Sequence, residues 1–235
     1  MNGLRRPVLL AWFLCALAAL GIAPYAVATA RAGDMTFKTV PLADPQTCQR
    51  RCVEVIVADG EIVDSTPEDL MQFLARNLRD DRLRTVVFLN SPGGKVVASM
   101  RLGQVLRKVG AMAVVATVIP PVPGSGQNAA FASARCYSAC VYAFMGAKKR
   151  VAPAQSSVGI HRMFNIVSAR DPSGFVDGTQ KVYDAGLLGS KLEAYAASMG
   201  VSPDLVATAE RISSDTIHIL TPAELRRWRL ATPKF

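Results

Sequence analysis

Ser138 and His161 are the two side chains of this sequence best placed to make a nucleophile and its base. A serine hydroxyl attacks an acyl carbon only when a base removes its proton, and a neutral imidazole does this near pH 7. His161 is one of only two histidines in the chain. It ends a short apolar run, Val158-Gly159-Ile160, that reads as a strand. Strand ends are where sites are commonly built in α/β sheets. Ser138 stands just before Val141 to Met145, an apolar run that reads as a short helix. A serine there sits in a positive backbone field, although capping is the commonest task for serine at that place. Ser91-Pro92-Gly93-Gly94 supplies a third component. Two glycines after a strand let the backbone turn with its amides exposed. Amides of Gly93 or Gly94, together with that of Ala139, can bind a developing oxyanion. A plain β-turn is the other reading of these four residues.

The elements that must position these groups alternate along the chain. Val53 to Val57 reads as a strand, closed by Asp59-Gly60. Thr66-Pro67-Glu68-Asp69 starts a helix with a capping threonine, proline in the first position and acids in the first turn. Leu70, Phe73, Leu74 and Leu78 share one face of it. Thr85 to Leu89 is an almost unbroken apolar run, as in a strand buried on both faces of a parallel sheet. A helix with Val96, Met100, Gly103 and Leu106 on one side follows, then a strand from Ala113 to Ile119 and a loop from Pro120 to Gly126. Arg162 to Gly178 is polar and reads as a loop. Gln180 to Met199 and Pro203 to Ile212 read as helices, and Thr221-Pro222-Ala223-Glu224 starts a last one. Strand–helix alternation with buried strands implies right-handed crossovers and an α/β fold. The 235 residues fit one domain, assigned to residues 53–235, with residues 33–52 as an extended lead-in.

The first 32 residues are read as a signal peptide. Arg5 and Arg6 precede an uncharged apolar run from Val8 to Ala23, and Ala30-Arg31-Ala32 is a cleavage site that would leave Gly33 first. An uncleaved membrane anchor is the alternative. The net charge of +9 includes Arg5, Arg6 and Arg31. The remaining cations are scattered in short groups such as Lys148-Lys149-Arg150 and Arg226-Arg227, without interleaved aromatics, which points away from nucleic acid and toward a solvated surface. Beyond Cys15, the cysteines are Cys48, Cys52, Cys136 and Cys140. An even number in an exported chain suggests two disulfides, of open connectivity. A zinc site is the rival reading, disfavoured by the spacing and the scarcity of histidine. No metal or nucleotide motif is present, and no cofactor is expected.

At Ser91-Pro92-Gly93-Gly94, at Cys136-Tyr137-Ser138-Ala139-Cys140, and on through Gly146, Lys149-Arg150 and Gly159-Ile160-His161, the chain resembles the Clp-type serine peptidases. The resemblance spans residues 53–230 and implies a Clp/crotonase-like fold of ββα-type units, with a mostly parallel sheet and flanking helices. It implies an oxyanion turn at Gly93-Gly94, Ser138 as nucleophile and His161 as base. Arg150 precedes His161 by eleven residues, a spacing similar to that family's. The family's acid falls shortly before the segment matched by Leu220 to Glu224. A gapless match places Ser213 there, and a shift of two residues brings in Asp215, the candidate third member. The C-x-S-x-C pattern resembles a periplasmic Clp-like branch. There a bridge between Cys136 and Cys140 would either rigidify the nucleophile turn or simply stabilise it.

The resemblance implies a periplasmic peptidase of peptides or unfolded protein, assembled as a homo-oligomer. Three other readings remain. One is a non-catalytic scaffold on the same fold, and another is an acyl-CoA crotonase-type enzyme, disfavoured by export. The third is a hydrolase with Lys148 or Lys149 as base. A cysteine nucleophile is disfavoured in an oxidising compartment.

Overall fold

Val55 and Val57 alternate with Ile56 and Ala58, and Phe88 with Val87 and Leu89; all seven are buried. Strands with apolar groups on both faces need cover on both, and this requirement organises the fold. The computed structural model describes residues 33–48, 51–77, 82–170, 176–183 and 186–234. The expected signal peptide, its cleavage site, Cys15 and Leu78 lie outside the described residues. Residues 32–235 form one compact unit.

Strand β1 (Thr36–Pro41) is followed by β2 (Glu54–Asp59), helix α1 (Thr66–Asn77), β3 (Leu83–Asn90) and α2 (Val96–Lys108). Next come β4 (Met112–Val114), β5 (Thr117–Ile119), β6 (Ala130–Ala132), β7 (Arg135–Tyr137), α3 (Cys140–Gly146), β8 (Lys149–Val151) and β9 (Ser157–Ile160). The chain ends with β10 (Asn165–Arg170), β11 (Val176–Val182), α4 (Leu187–Ser198), α5 (Asp204–Ala209), β12 (His218–Ile219) and α6 (Pro222–Arg227). The main sheet has the order β1-β2-β3-β4-β8. Its β2–β3, β3–β4 and β4–β8 pairs are parallel, and only β1 runs antiparallel. A second sheet, β12-β9-β7, joins β9 and β7 in parallel. The fold is therefore α/β with a mostly parallel sheet, as expected.

One face of the main sheet carries Ile56, Ala58, Val87, Leu89, Ala113 and Val115 into the larger core, with α1, α2 and α3. The other face carries Val55, Val57, Phe88 and Val114 into a smaller core. The β5–β6 hairpin covers it, and Phe131 stacks on Phe88 with ring centroids 5.3 Å apart. Each fully buried aliphatic or aromatic side chain stabilises the fold by about 1.5–3 kcal/mol. Helix α3 is buried along its whole length. It lies so close to α2 that a Cβ on Gly146 would come within 2.0 Å of the Gly103 carbonyl oxygen. A Cβ on Gly103 would meet the Tyr195 hydroxyl, which donates a 2.9 Å hydrogen bond to the Tyr142 carbonyl.

Several elements depart from the sequence reading. Residues 33–52 are more than a lead-in, because β1 is paired with β2 over its full length. The strand expected over 113–119 splits in two, with β4 in the main sheet and β5 turned away to pair with β6. The loop expected over 162–178 contains β10 and the start of β11, which pair antiparallel. The helix expected from Gln180 begins at Leu187, because Gln180 to Val182 belong to β11. The last helix starts as expected: the Thr221 hydroxyl accepts from the Glu224 amide, and the Glu224 carboxylate accepts from the Thr221 amide.

The cysteines pair as Cys48–Cys52 and Cys136–Cys140, each with Cα atoms 5.3 Å apart. Disulfides persist in oxidising compartments, so both pairs suit an exported location. No described helix is long and apolar enough to cross a membrane. Near the first pair, the buried Asp44 ties residues 33–48 to the Pro/Gly-rich loop. Its carboxylate accepts from the Gln46 amide at 3.0 Å and the Gly126 amide at 2.8 Å. These amides hold its pKa below the ordinary value, the Gln46 amide most strongly.

Two stability measurements follow. Gly146→Ala should lower the unfolding free energy in urea by about 2–3 kcal/mol, because neither helix backbone can yield to the added methyl. A depressed carboxyl pKa stabilises the fold above its unfolded value of about 3.9 and stops doing so as pH falls through the native value. Asp44→Asn should therefore lower the thermal midpoint at pH 7, and the gap from the unmodified protein should close under strong acid.

Candidate active site

The seam between the two sheets brings the glycine turn to the serine. Strand β3 runs on through Ser91, which bridges in parallel to Cys136 of β7. The Ser91 amide donates to the Arg135 carbonyl at 2.8 Å, and the Tyr137 amide donates to the Ser91 carbonyl at 3.1 Å. The turns after β3 and β7 therefore leave the sheets side by side. Gly93 has φ 116° and Gly94 φ 134°, backbone that side chains avoid. A Cβ on Gly93 would lie 2.8 Å from the Ser138 Cβ and 3.2 Å from the Ala139 nitrogen. Ser91 itself is buried, and its hydroxyl accepts from the Gly93 amide at 3.2 Å. The Gly93 carbonyl accepts from the Ile62 amide at 2.8 Å. The Gly93 amide is thus occupied, whereas the Gly94 and Ala139 amides donate to no protein acceptor among the described residues. The serine of this turn had no role in the sequence reading; its spacing two residues before Gly93 is the signal.

Ser138 has φ 55°. Left-handed backbone costs a residue with a side chain about 1–2 kcal/mol, and such strain gathers at functional sites. The Ser138 amide donates to the Gly159 carbonyl at 2.9 Å, and Gly93 packs against its side chain. Ser138 does not cap α3. Ala139 holds the cap position, and no side-chain oxygen bonds the first turn. The hydroxyl is left available on a half-buried side chain. The Cys136–Cys140 pair brackets it, both residues being fully buried.

His161 leaves the end of β9, whose Gly159 pairs with Tyr137 of β7. Neighbouring strands lie about 4.8 Å apart, so Ser138 and His161 start from adjacent backbones at the same strand ends. The imidazole is buried, and its Nδ1 lies 2.7 Å from the Arg162 carbonyl oxygen. A carbonyl can only accept, so the shared proton sits on Nδ1 and Nε2 of the neutral ring carries a lone pair. The Phe164 ring packs with its centroid 5.9 Å from that of the imidazole.

The other expected residues lie elsewhere. Asp215 is exposed, and its carboxylate takes the Lys181 ammonium of β11 at 2.5 Å. Hydrogen bonding to Lys181 and its charge hold the Asp215 carboxyl below its usual range. Among the described residues none of its hydrogen bonds reaches His161, and the ring's hydrogen-bond partner is the Arg162 carbonyl. Ser213 accepts from the Asp215 amide at 3.2 Å. Lys148 and Lys149 follow the far end of α3 from Ser138. Seven helical residues at 1.5 Å each separate them from it by about 10 Å along the helix axis, and both lysines line a cleft with Arg226 and Arg229 whose lining does not include Ser138. A cavity of about 400 Å³ is lined by Arg162, Met163, Leu188, Glu193, Ala207 and Glu210; neither His161 nor Ser138 is in its lining. Among the described residues no cluster of His, Cys, Asp and Glu could hold a metal ion.

Arg150 fixes the opposite end of α3. Its guanidinium donates to the carbonyls of Ala147 at 2.7 Å and Met145 at 3.1 Å, just after and within that helix. It also reaches the Leu230 carbonyl at 2.6 Å and the Arg229 carbonyl at 3.0 Å, beyond α6. Arg107 donates to the Met199 carbonyl at 2.8 Å, at the end of α4. Two guanidinium groups thus gather three helix C-termini, whose carbonyls carry partial negative charge. Burial, then the Arg107 charge, pushes Arg150 down to about 10, which leaves it charged at neutral pH.

No family model matches the chain, and no curated protein matches it. Among solved structures it is similar to a mutant of the 1510-N membrane-bound stomatin-specific protease. The TM-score is 0.48 at 18% identity, over 74% of this chain and 76% of that one. A second mutant of that protease, in complex with a substrate peptide, gives 0.47 at 19% identity, over 74% and 72%. ClpP1 from Listeria monocytogenes gives 0.45 at 16% identity, over 73% and 84%.

Proposed function

We propose that this chain is an exported serine hydrolase acting on peptides or unfolded protein, with Ser138 as nucleophile and His161 as base. The observation that carries the reading is Ser138 itself. Its backbone is strained, its hydroxyl caps nothing, and it lies between the glycine turn and the strand that ends in the histidine. A serine kept only for helix capping would need none of this.

In the proposed reaction His161 Nε2 takes the proton from Ser138 Oγ as the oxygen bonds to the acyl carbon. The carbonyl oxygen becomes an oxyanion and receives hydrogen bonds from the Gly94 and Ala139 amides. Collapse breaks the carbon–nitrogen bond, and the imidazolium returns its proton to the leaving amine. Water, activated by the same imidazole, then releases the acyl group. The Arg162 carbonyl holds the Nδ1 proton through both steps, the orienting part that a carboxylate plays in a triad. Asp215 then serves the β10–β11 pair through Lys181. The resemblance in sequence also supports a homo-oligomer, and the paired cysteines with Ala30-Arg31-Ala32 support export by a cleaved signal peptide. The second reading, a non-catalytic scaffold, is favoured by one observation: no carboxylate bonds the His161 ring among the described residues.

Labelling with a fluorophosphonate probe decides between them. The unmodified protein should be labelled at Ser138, and Ser138→Ala should abolish labelling with little loss of stability, because the hydroxyl caps no helix. His161→Ala should slow labelling by about 10²-fold or more. Asp215→Asn should leave the rate essentially unchanged. An unlabelled native protein, or labelling that survives Ser138→Ala, would give the lead to the scaffold.

A further inference from the structure

A cleft of about 420 Å³ opens at the far end of α3 from Ser138, between the α3–β8 turn and the end of α6. Lys148, Lys149 and Arg150 form one wall and Arg226 and Arg229 the other, with no carboxylate in the lining among the described residues. These two stretches are far apart in sequence, and the fold places their cations face to face. Elsewhere arginines find acids, as in Arg82 with Glu54 and Arg162 with Glu210. Lys148, Lys149, Arg226 and Arg229 make no ion pair among the described residues. Like charges gathered without a counter-ion repel one another. At the floor Arg150 is bound to backbone carbonyls, so it adds a fixed positive charge.

Arg229 gives a second, independent sign. Helices α2, α4 and α6 all end in the same Schellman pattern. In α6 the Leu230 amide bonds the Leu225 carbonyl at 2.9 Å, and the Arg229 amide bonds the Arg226 carbonyl at 2.9 Å. At the left-handed position α2 has Gly110 and α4 has Gly200, at φ 69° and 75°. Helix α6 has Arg229 there, at φ 55°. Glycine is the inexpensive residue for that backbone, and the arginine that replaces it lines the cleft.

We propose that this cleft binds a phosphate group. A phosphate offers two charges and several acceptor oxygens to donors converging from opposite walls. A carboxylate offers one charge and two oxygens in a plane. The guanidinium forks of Arg226 and Arg229 suit paired oxygens, and the two ammonium groups act as point charges. The volume leaves room for a substituent on the phosphate. The phosphate could come from a free phosphorylated compound, whose terminal group carries up to two charges and three free oxygens, or from an anionic lipid headgroup, whose diester carries one charge and two free oxygens held tetrahedrally.

The test is calorimetric titration of the full chain at about 0.15 M salt. Three probes are used: pyrophosphate, the phosphodiester headgroup glycerophosphoglycerol, and acetate as the carboxylate comparison. Saturable binding of either phosphate probe, and not of acetate, is expected. Pyrophosphate alone would indicate a free phosphate compound; the diester would indicate a lipid headgroup. Lys148→Gln with Lys149→Gln, and separately Arg226→Gln, should weaken binding about tenfold or more. Lys191→Gln, an exposed cation on α4, should leave it unchanged. Unchanged thermal unfolding of each variant shows that the fold is intact. No saturable phosphate binding, equal binding of acetate, or equal weakening by Lys191→Gln would overturn the proposal.

Discussion

The contact on which the site depends is the approach of Gly93 to Ser138. The turn after β3 can lie against the turn after β7 only because no side chain stands at Gly93, where a Cβ would fall 2.8 Å from that of Ser138. The approach is imposed from the sheets. Ser91 extends β3 onto β7 by two backbone hydrogen bonds, and its buried hydroxyl closes the turn onto the Gly93 amide. On the other side the Gly159 carbonyl holds the Ser138 amide, so β9 grips the residue that β7 delivers. Confined between these two backbones, Ser138 takes a left-handed conformation that it would not choose alone. That conformation keeps the hydroxyl from capping α3, and the Gly94 and Ala139 amides donate to no protein acceptor among the described residues.

Strain of this size persists only where the surroundings over-determine it, and α3 supplies much of that. The helix is buried throughout and wedged against α2 at Gly103 and Gly146, where no atom can be added. Its last turn is tied by Arg150 to the ends of α4 and α6. The Cys136–Cys140 pair joins its first residue to β7 across Ser138. Ser138 at one end of α3 and the cation density at the other are therefore fastened to the same rigid element. Arg150 belongs to both, as the anchor of the helix and the floor of the cleft.

Legibility in the sequence followed the range of each interaction. The parallel strands could be read because Val53 to Val57 and Thr85 to Leu89 are apolar on both faces, a pattern set by burial alone. The start of α6 could be read because Thr221 and Glu224 satisfy each other within one turn. The β10–β11 pair could not. Its residues are largely polar, Ile166 and Val167 are exposed, and no alternating apolar face marks it. The break between β4 and β5 falls inside one apolar run, where composition gives no sign that the chain changes sheets. At the site, the glycine turn, the serine and the histidine were marked by local spacing. The group on Nδ1 was not, because the resemblance around Leu220 implies Asp215 while the chain joins that carboxylate to Lys181, 34 residues away. The gathering of Lys148 and Lys149 with Arg226 and Arg229 was equally hidden, since short basic groups far apart look alike whether or not they meet.

The proposed reaction requires Ser138 and His161 to act on one acyl carbon, with the Gly94 and Ala139 amides beneath the oxyanion. A crystal structure of the protein after reaction with a fluorophosphonate tests this most directly, because the bound phosphonyl group mimics the tetrahedral intermediate. The account predicts phosphorus bonded to Ser138 Oγ, with its oxygen about 2.7–3.1 Å from the Gly94 and Ala139 amides. It also predicts that His161 Nδ1 remains on the Arg162 carbonyl, with Nε2 turned toward the adduct. An adduct on another residue would contradict it, as would one on Ser138 with its oxygen in solvent and His161 turned away.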